Sequence, residues 1–351
     1  MKLPTFRDPA LDYGRRLSLP QKLRLGIKTL LARETRWQKA ARAWLDETPG
    51  RREKVMAATL LIEERPAAVS PFPFVAGPPD PAPRIGVACH LFYDDLAGSI
   101  AESLSAIPIP FDMVVTTDTP AKKARIEAAM AGLPRAAIEV RVVPNKGRDI
   151  APKVVGAADL HARCDLILHI HGKKSLHNSA FGGWRGHIFD HLLGDAANVN
   201  SLLHVFATRP DIGMIGPAPY GEAGRIRVGP SSAYAAGLLR AMGAELDPFA
   251  PLDHPVGSMF WARTSALKPL LDLKLTFDDF GAELRQQNGT LAHAIERSYG
   301  LIAHLGGGRL VRFARQAGPQ AAVPADQAAL DAMIDAALAA APAPALISSR
   351  P

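Results

Sequence analysis

Cysteine is scarce in this chain: there are 2 in 351 residues, Cys89 and Cys164, each in or beside an apolar run. That excludes a disulfide-stapled fold and predicts reduced, buried thiols in a cytoplasmic protein. No uninterrupted apolar run approaches the ~18–20 residues needed to cross a bilayer. The segment MKLPTFRDPALDYGRR also lacks the apolar stretch of a secretory signal. Phosphate-binding glycine motifs are missing as well. No GxGxxG follows the first long apolar run and no GxxxxGK[ST] occurs, which argues against a dinucleotide dehydrogenase or a P-loop nucleotidase.

What remains is ordinary globular composition. Hydrophobic residues make up 48% and charged residues 21%, enough apolar content for a sizeable core. The net charge of +7 is unevenly placed. Residues 1–55 hold 14 Lys and Arg against 6 Asp and Glu, and the other 296 residues hold 27 against 28. The basic character therefore sits in an N-terminal arm, and a nucleic-acid partner, which would want a basic patch on the folded body, is not expected.

Four regions are predicted: a basic helical region over 1–69, a Pro-rich linker over 70–84, an α/β domain over 85–320, and an Ala-rich helix and tail over 321–351. In the first, Leu23, Ile27, Leu30, Leu31 and Trp37 recur at near-helical spacing between Lys and Arg. Such a helix packs on the body with a solvated basic face, or lies on anionic lipid through Leu and Trp. SPFPFVAGPPDPAPR cannot hold a helix and reads as an extended connection.

From Arg84 onward strands alternate with helices. RIGVACHLF, FDMVVTT, AIEVRVV and DLILHIH read as strands, and DDLAGSIAESLSAI, PAKKARIEAAMAGL and the stretch from Asp149 to Ala162 as helices. Repeated strand–helix–strand order predicts a mostly parallel, Rossmann-like sheet with helices on both faces. Further on, DIGMIGP and VGSMFWAR read as strands, while YGLIAHLGGGRLVRF looks like a glycine-turned hairpin.

Ligands bind such sheets outside the carboxyl ends of the strands. Those ends are polar: Phe92-Tyr93-Asp94-Asp95, Thr116-Thr117-Asp118, Pro144-Asn145-Lys146-Gly147-Arg148-Asp149, and His169-Ile170-His171-Gly172-Lys173-Lys174. Asp118 is placed to accept hydrogen bonds from a ribose or base, or else to cap the helix before Pro120. Lys146, Arg148, Lys173 and Lys174 are cations suited to a pyrophosphate, or a solvated surface cluster. His169 and His171 alternate along a strand and point to one face. Two imidazoles so spaced reach a common ion, but no CxxC, HExxH or paired carboxylate accompanies them, which argues against a metal. In the second half, His293, Glu296 and Arg297 fall on neighbouring helical positions and could simply pair with one another. Glu283, before a Gly-bearing loop, is the freest carboxylate.

HLFYDDL, FDMVVTT, PNKGRDIAP, LILHIHGKKS, GSMFWAR and GTLAHAIER, in that order, resemble the rhamnan synthesis protein F family of bacterial polysaccharide rhamnosyltransferases. The resemblance spans about Ile85 to Gly300 and looks in outline like a GT-A glycosyltransferase core. It implies transfer of a sugar from a nucleotide sugar such as dTDP-L-rhamnose to a cell-surface or lipid-linked glycan, on the cytoplasmic side of the membrane. A non-catalytic glycan- or nucleotide-binding component of a polysaccharide assembly complex is the alternative. The usual metal-holding Asp-x-Asp is replaced here by His169-Ile170-His171, so no cofactor is expected, and Arg148, Lys173 and Lys174 are expected to stabilise the leaving diphosphate. Donor contacts are expected from Tyr93, Asp94, Thr117, Asp118, Asn145, Gly147, Arg148, Asp149, His169, His171, Lys173 and Lys174. Acceptor contacts are expected from Trp184, Arg185, Ser258, Trp261 and His293. Glu283 is the first choice of catalytic base, with Glu296 and Asp279 behind it. The N-terminal arm would hold the protein at an anionic membrane.

Overall fold

The computed structural model describes residues 34–57, 60–61, 68–69, 71–72, 74–172, 183–220, 225–226, 229–249, 252–255, 257–283, 288–315, 323–341, 344 and 346–347. Its centre is an eight-stranded sheet built from β1 (Ala68–Val69), β2 (Ile85–His90), β3 (Phe111–Thr117), β4 (Ala136–Val142), β5 (Leu166–His171), β6 (Ile212–Pro217), β7 (Phe260–Arg263) and β8 (Arg309–Ala314). The spatial order is β1-β8-β6-β7-β5-β2-β3-β4. Only β7 runs antiparallel to its neighbours; every other pairing is parallel. The Rossmann-like α/β class expected from the alternating apolar runs is therefore the fold observed. β2 and β5 are buried along their whole length, as their unbroken apolar runs require in a sheet covered on both faces.

Twelve helices are described: α1 (Arg36–Asp46), α2 (Arg51–Ala57), α3 (Ala97–Leu104), α4 (Pro120–Met130), α5 (Ile150–Val154), α6 (Ala158–Arg163), α7 (Trp184–Leu192), α8 (Ala196–Thr208), α9 (Gly229–Ala241), α10 (Thr264–Leu271), α11 (Leu291–Leu305) and α12 (Gln327–Ala339). One face of the sheet packs on Ile100, Leu104, Ile126, Ile188, Leu202 and Ile334. The opposite face packs on α5, α6, α10 and α11, with Leu160, Leu267, Ile295, Tyr299 and Ile302 at its centre. A third cluster joins α1 to α9 through Ala41, Trp44, Leu45, Ala236 and Leu239.

Several expectations change. YGLIAHLGGGRLVRF is not a hairpin: α11 runs through Leu305, and the glycines turn the chain into β8, which pairs parallel to β6. The apolar residues Ile295, Tyr299 and Ile302 recur at helical spacing upstream of those glycines, and burying that stripe decides the matter. Thr119, not Asp118, caps α4, its side chain accepting from the Lys122 amide with Pro120 at the first helical position. Trp37 is not a lipid anchor, because it is 5% exposed and packed in the body. Leu23, Ile27, Leu30 and Leu31 lie outside the described residues. Phe72, within the Pro-rich stretch, is buried against Phe313, and its amide donates to Ser201 Oγ at 2.8 Å. Cys89 and Cys164 are buried free thiols whose ionisation burial pushes up to about 12 and about 11.

Several imidazoles are buried in the core. Burial pushes His90, His161, His191 and His254 down from 6.5 to about 4. Unfolded, each takes up a proton near its ordinary value, so stability is complete above pH 6.5 and falls as the pH drops from there towards 4. The melting midpoint is expected to fall by about 10 °C between pH 7 and pH 5. An unchanged midpoint over that range, read by calorimetry, would show that these rings gain no proton on unfolding.

Candidate functional site

The chain adds β2, β3 and β4 outward in one direction, then returns to place β5 on the other side of β2. This reversal is where open α/β sheets leave a crevice beyond their strand ends. His90 and His171 end the two strands in register with each other. The ladder continues just past them: the Gly172 amide donates to the His90 carbonyl and the Leu91 amide to the Thr116 carbonyl, each at 2.8 Å.

Beside these strand ends sits the turn between β4 and α5. It delivers Asp149, whose Oδ2 accepts from Lys153 Nζ at 2.8 Å and lies 3.3 Å from His171 Nδ1. Lys153 is fully buried and also donates to the Ser258 carbonyl at 2.7 Å. Ser258, which carries that carbonyl, and Gly257 before it both adopt left-handed conformations, at φ +56° and +90°. Burial works to raise the Asp149 carboxyl, but the nearby charges of His171 and Lys153 and the Lys153 hydrogen bond hold it well below 3.8. His90 Nδ1 lies 3.1 Å from Thr116 Oγ1, and the same hydroxyl donates to the Cys89 carbonyl, which makes the imidazole nitrogen the donor of the pair.

The same turn binds an anion of the protein's own. Gly147 and Arg148 both have left-handed backbones, at φ +69° and +55°. Their amides face Glu283: the Arg148 amide donates to Oε1 at 3.1 Å and the Gly147 amide also hydrogen-bonds the carboxylate. A Cβ on Gly147 would meet Phe280 Cδ1 at 2.6 Å and Ala151 Cβ at 2.5 Å, so only glycine lets the Phe280 ring close on the turn. Burial raises the Glu283 carboxyl above its ordinary value against the pull of Arg148 and these amides. The Arg148 guanidinium Nη1 reaches His293 Nε2 at 2.5 Å, and His293 Nδ1 lies 2.7 Å from Thr290 Oγ1. Burial, with Arg148 and Arg297 nearby, holds His293 well below 6.5, so it is neutral.

The other expected residues are distributed around this centre. Asp118 pairs with Lys122 at 2.6 Å, whose ammonium stands 3.9 Å from the Phe92 ring centroid, tying the first two strand-end loops together. Asp94 pairs with Arg125, and Tyr93 sets its ring edge-on to Phe92 at 5.1 Å. Thr117 is fully buried and donates to the Leu91 carbonyl at 2.8 Å. Asn145 is exposed, and Lys146 Nζ pairs with Asp278 at 3.0 Å. His169 faces the same side of the sheet as His171 but a layer deeper, where it is fully buried with Nε2 2.8 Å from His161 Nε2. Trp261 is fully buried with its indole donating to the Leu192 carbonyl at 2.8 Å, whereas Trp184 is half-buried beside Gly257. Arg185 Nη1 lies 3.3 Å from Ser99 Oγ. Arg297 donates to Ser231 Oγ and the His293 carbonyl, and among the described residues no ion pair joins it to Glu296. Asp279 is buried against Arg36 and Trp37. Lys173 and Lys174 lie outside the described residues.

Sequence reasoning missed His90, Lys153 and Phe280, and placed Thr116 at a strand end without giving it a role. Lys153 had a signal, since it follows Asp149 at the i,i+4 spacing of one helical turn. His90 had a weaker one, as the polar end of an otherwise apolar strand. No three His, Cys, Asp or Glu side chains are gathered to hold a metal among the described residues.

Residues 78–306 match the family described as Rhamnan synthesis protein F. The chain belongs to the rhamnan synthesis protein F family. The matched stretch contains β2 to α11, and so every strand end described above, while α1 and α2 precede it. Two curated proteins of Xanthomonas campestris pv. campestris, from strains B100 and ATCC 33913, carry the description "Uncharacterized protein WxcX". Each is 32% identical over 229 residues, 64% of this chain and 32% of its own length. The chain thus spans about a third of the length of these relatives. Membership in the rhamnan synthesis protein F family implies a part in rhamnan or related polysaccharide synthesis.

Proposed function

We propose that this protein is a GT-A-like glycosyltransferase that moves a sugar, in the first instance rhamnose, from a nucleotide sugar such as dTDP-L-rhamnose to a growing polysaccharide or a lipid-linked glycan. The observation that supports it is the meeting of His90, His171, Asp149 and Lys153 at the sheet's switch point, with Glu283 held by the amides of the turn between β4 and α5. In the reaction the acceptor hydroxyl oxygen forms the new bond to the anomeric carbon. The bond from that carbon to the diphosphate breaks, and its electron pair leaves with the nucleoside diphosphate. The acceptor proton goes to a base, assigned to Glu283, because a carboxylate raised by burial is a better proton acceptor than one in water.

Charge developing on the diphosphate needs a preorganised cation in a dry site. Arg148 beside the crevice, and Lys173 and Lys174 immediately after Gly172 in sequence, are assigned that role. Asp118, Tyr93 and Asp94 are assigned to the nucleoside side and Trp184 and Arg185 to the acceptor side; Thr117 and His293, buried and hydrogen-bonded within the protein, support the residues beside them. The reading is metal-independent: by the resemblance, His169-Ile170-His171 replaces the metal-holding Asp-x-Asp, and His169 is buried against His161. The basic N-terminal residues are assigned a peripheral contact with anionic lipid on the cytoplasmic side. No described helix is long and apolar enough to cross a membrane.

The test is a thermal-shift and turnover screen of nucleotide sugars, with EDTA or with Mn2+. A donor at 100 times its Kd should add about 2.7 kcal/mol of stability, and slow release of nucleoside diphosphate should persist in EDTA. Turnover lost in EDTA and restored by Mn2+ would reject the metal-free mechanism. Donor binding without turnover on any acceptor would mark a binding component of an assembly complex instead.

A further inference from the structure

Asp279 was a candidate base, yet both of its oxygens are engaged inside the protein. Oδ1 accepts from Arg36 Nε at 2.5 Å and from Trp37 Nε1 at 3.1 Å. Oδ2 accepts from Arg36 Nη2 at 3.1 Å and from the Thr276 amide at 2.9 Å. The donors from α1 are themselves fixed. Thr35 and Gln38 form a reciprocal capping box at the helix start, with the Thr35 amide donating to Gln38 Oε1 at 2.7 Å. Trp37 is 5% exposed, so its indole cannot swing away.

The same short stretch of chain that Asp279 anchors also reaches the site. Phe280, 2% exposed, lies against Gly147, and Glu283 accepts from the Gly147 and Arg148 amides. An exposed arginine pair would contribute little here. A carboxylate with several hydrogen bonds, one of them from a buried indole, is a stiffer anchor.

We propose that Asp279 is a positioning residue: through it α1 fixes the stretch from Phe277 to Glu283, so that Phe280 closes on Gly147 and the Glu283 carboxylate is presented at the crevice. This rests on the assignment of Glu283 as base. It also means that residues ahead of the family match complete the site, because Arg36 and Trp37 precede residue 78.

The experiment compares Asp279→Asn, Trp37→Phe, Glu283→Gln and the Asp279→Asn/Glu283→Gln double variant in the full chain. Misplacement of a reacting group by about 1 Å costs on the order of 100-fold. Asp279→Asn should therefore lower kcat by about 10- to 100-fold, leave the KM for the nucleotide sugar within a factor of about two, and displace the acid limb of the pH–rate profile. Trp37→Phe, which keeps the packing and removes one donor, should show a smaller loss of the same kind. In the Glu283→Gln background the Asp279 substitution should cost nothing further, since coupled residues are not additive. Equal losses in both backgrounds, or a lowered melting point with unchanged kcat and pH profile, would overturn the proposal. If the unmodified protein turns over no donor, the transferase reading fails, and hydrogen exchange at the Gly147 and Arg148 amides decides the clamp alone. Faster exchange there in Asp279→Asn or Trp37→Phe supports it, and unchanged exchange in both rejects it.

Discussion

Glu283→Gln is expected to cut turnover by orders of magnitude while leaving the nucleotide sugar bound. The substitution keeps the shape and still accepts from the Arg148 amide that holds Glu283 at 3.1 Å, so the turn between β4 and α5 should survive. What disappears is a proton acceptor. General base catalysis contributes about 100- to 10,000-fold, and a loss of that size in kcat, with the donor's thermal shift intact, is the expected result. The pH dependence carries a second signature. The base acts in its ionised form and its carboxyl is raised by burial, so the rate should fall as the pH drops through that raised value. In Glu283→Gln the acid limb should vanish. Undiminished turnover would move the base elsewhere, with Glu296 next in line.

Removing Asp149 should produce the largest loss of stability. Lys153 is fully buried, and its ammonium is held by Asp149 at 2.8 Å and the Ser258 carbonyl at 2.7 Å. Asp149→Ala leaves that ammonium buried without its counter-charge, a change that costs about 3–5 kcal/mol. Asp149→Asn with Lys153→Met removes both charges and should recover most of the loss, because an apolar replacement of a buried pair is often neutral. The linkage has a definite sign. Asp149 titrates well below 3.8 in the folded protein, so its contribution is present above that value and disappears as the pH falls through the lower folded one. Urea titration at pH 7 gives the first number. A cost under about 1 kcal/mol would show that water or another group compensates Lys153.

The two substitutions separate roles that meet at one turn. Asp149, paired with Lys153 and near His171, holds the strand ends of β2 and β5 under a structural ion pair. Glu283, gripped by the amides of the same turn, is left with a raised carboxyl at its rim. Sequence reasoning grouped Asp149 with the donor ligands and Asp279 with the bases. In the folded chain Asp149 is flanked by Lys153 and His171, and Asp279 by Arg36, Trp37 and Thr276.

By itself the sequence determined the local elements. Apolar runs and helical stripes specify β2 to β5, α3, α4 and one helical stretch from Asp149 to Ala162, which the structure divides into α5 and α6, since burying a face depends only on the period of the residues that form it. It also showed which residues stand just beyond the strands, because a strand's end is where its apolar run stops. Only tertiary structure decided what those residues touch. His169 alternates with His171 as expected, but one meets His161 in the core and the other Asp149 at the crevice. Glu283 meets the Gly147–Arg148 turn, and Asp279 meets α1, in a fold where β7 runs reversed between β5 and β6 and α11 packs over α5. Partners so distant in sequence leave no periodic trace; their meeting is set by the order and direction in which strands add to the sheet, a property of the whole chain.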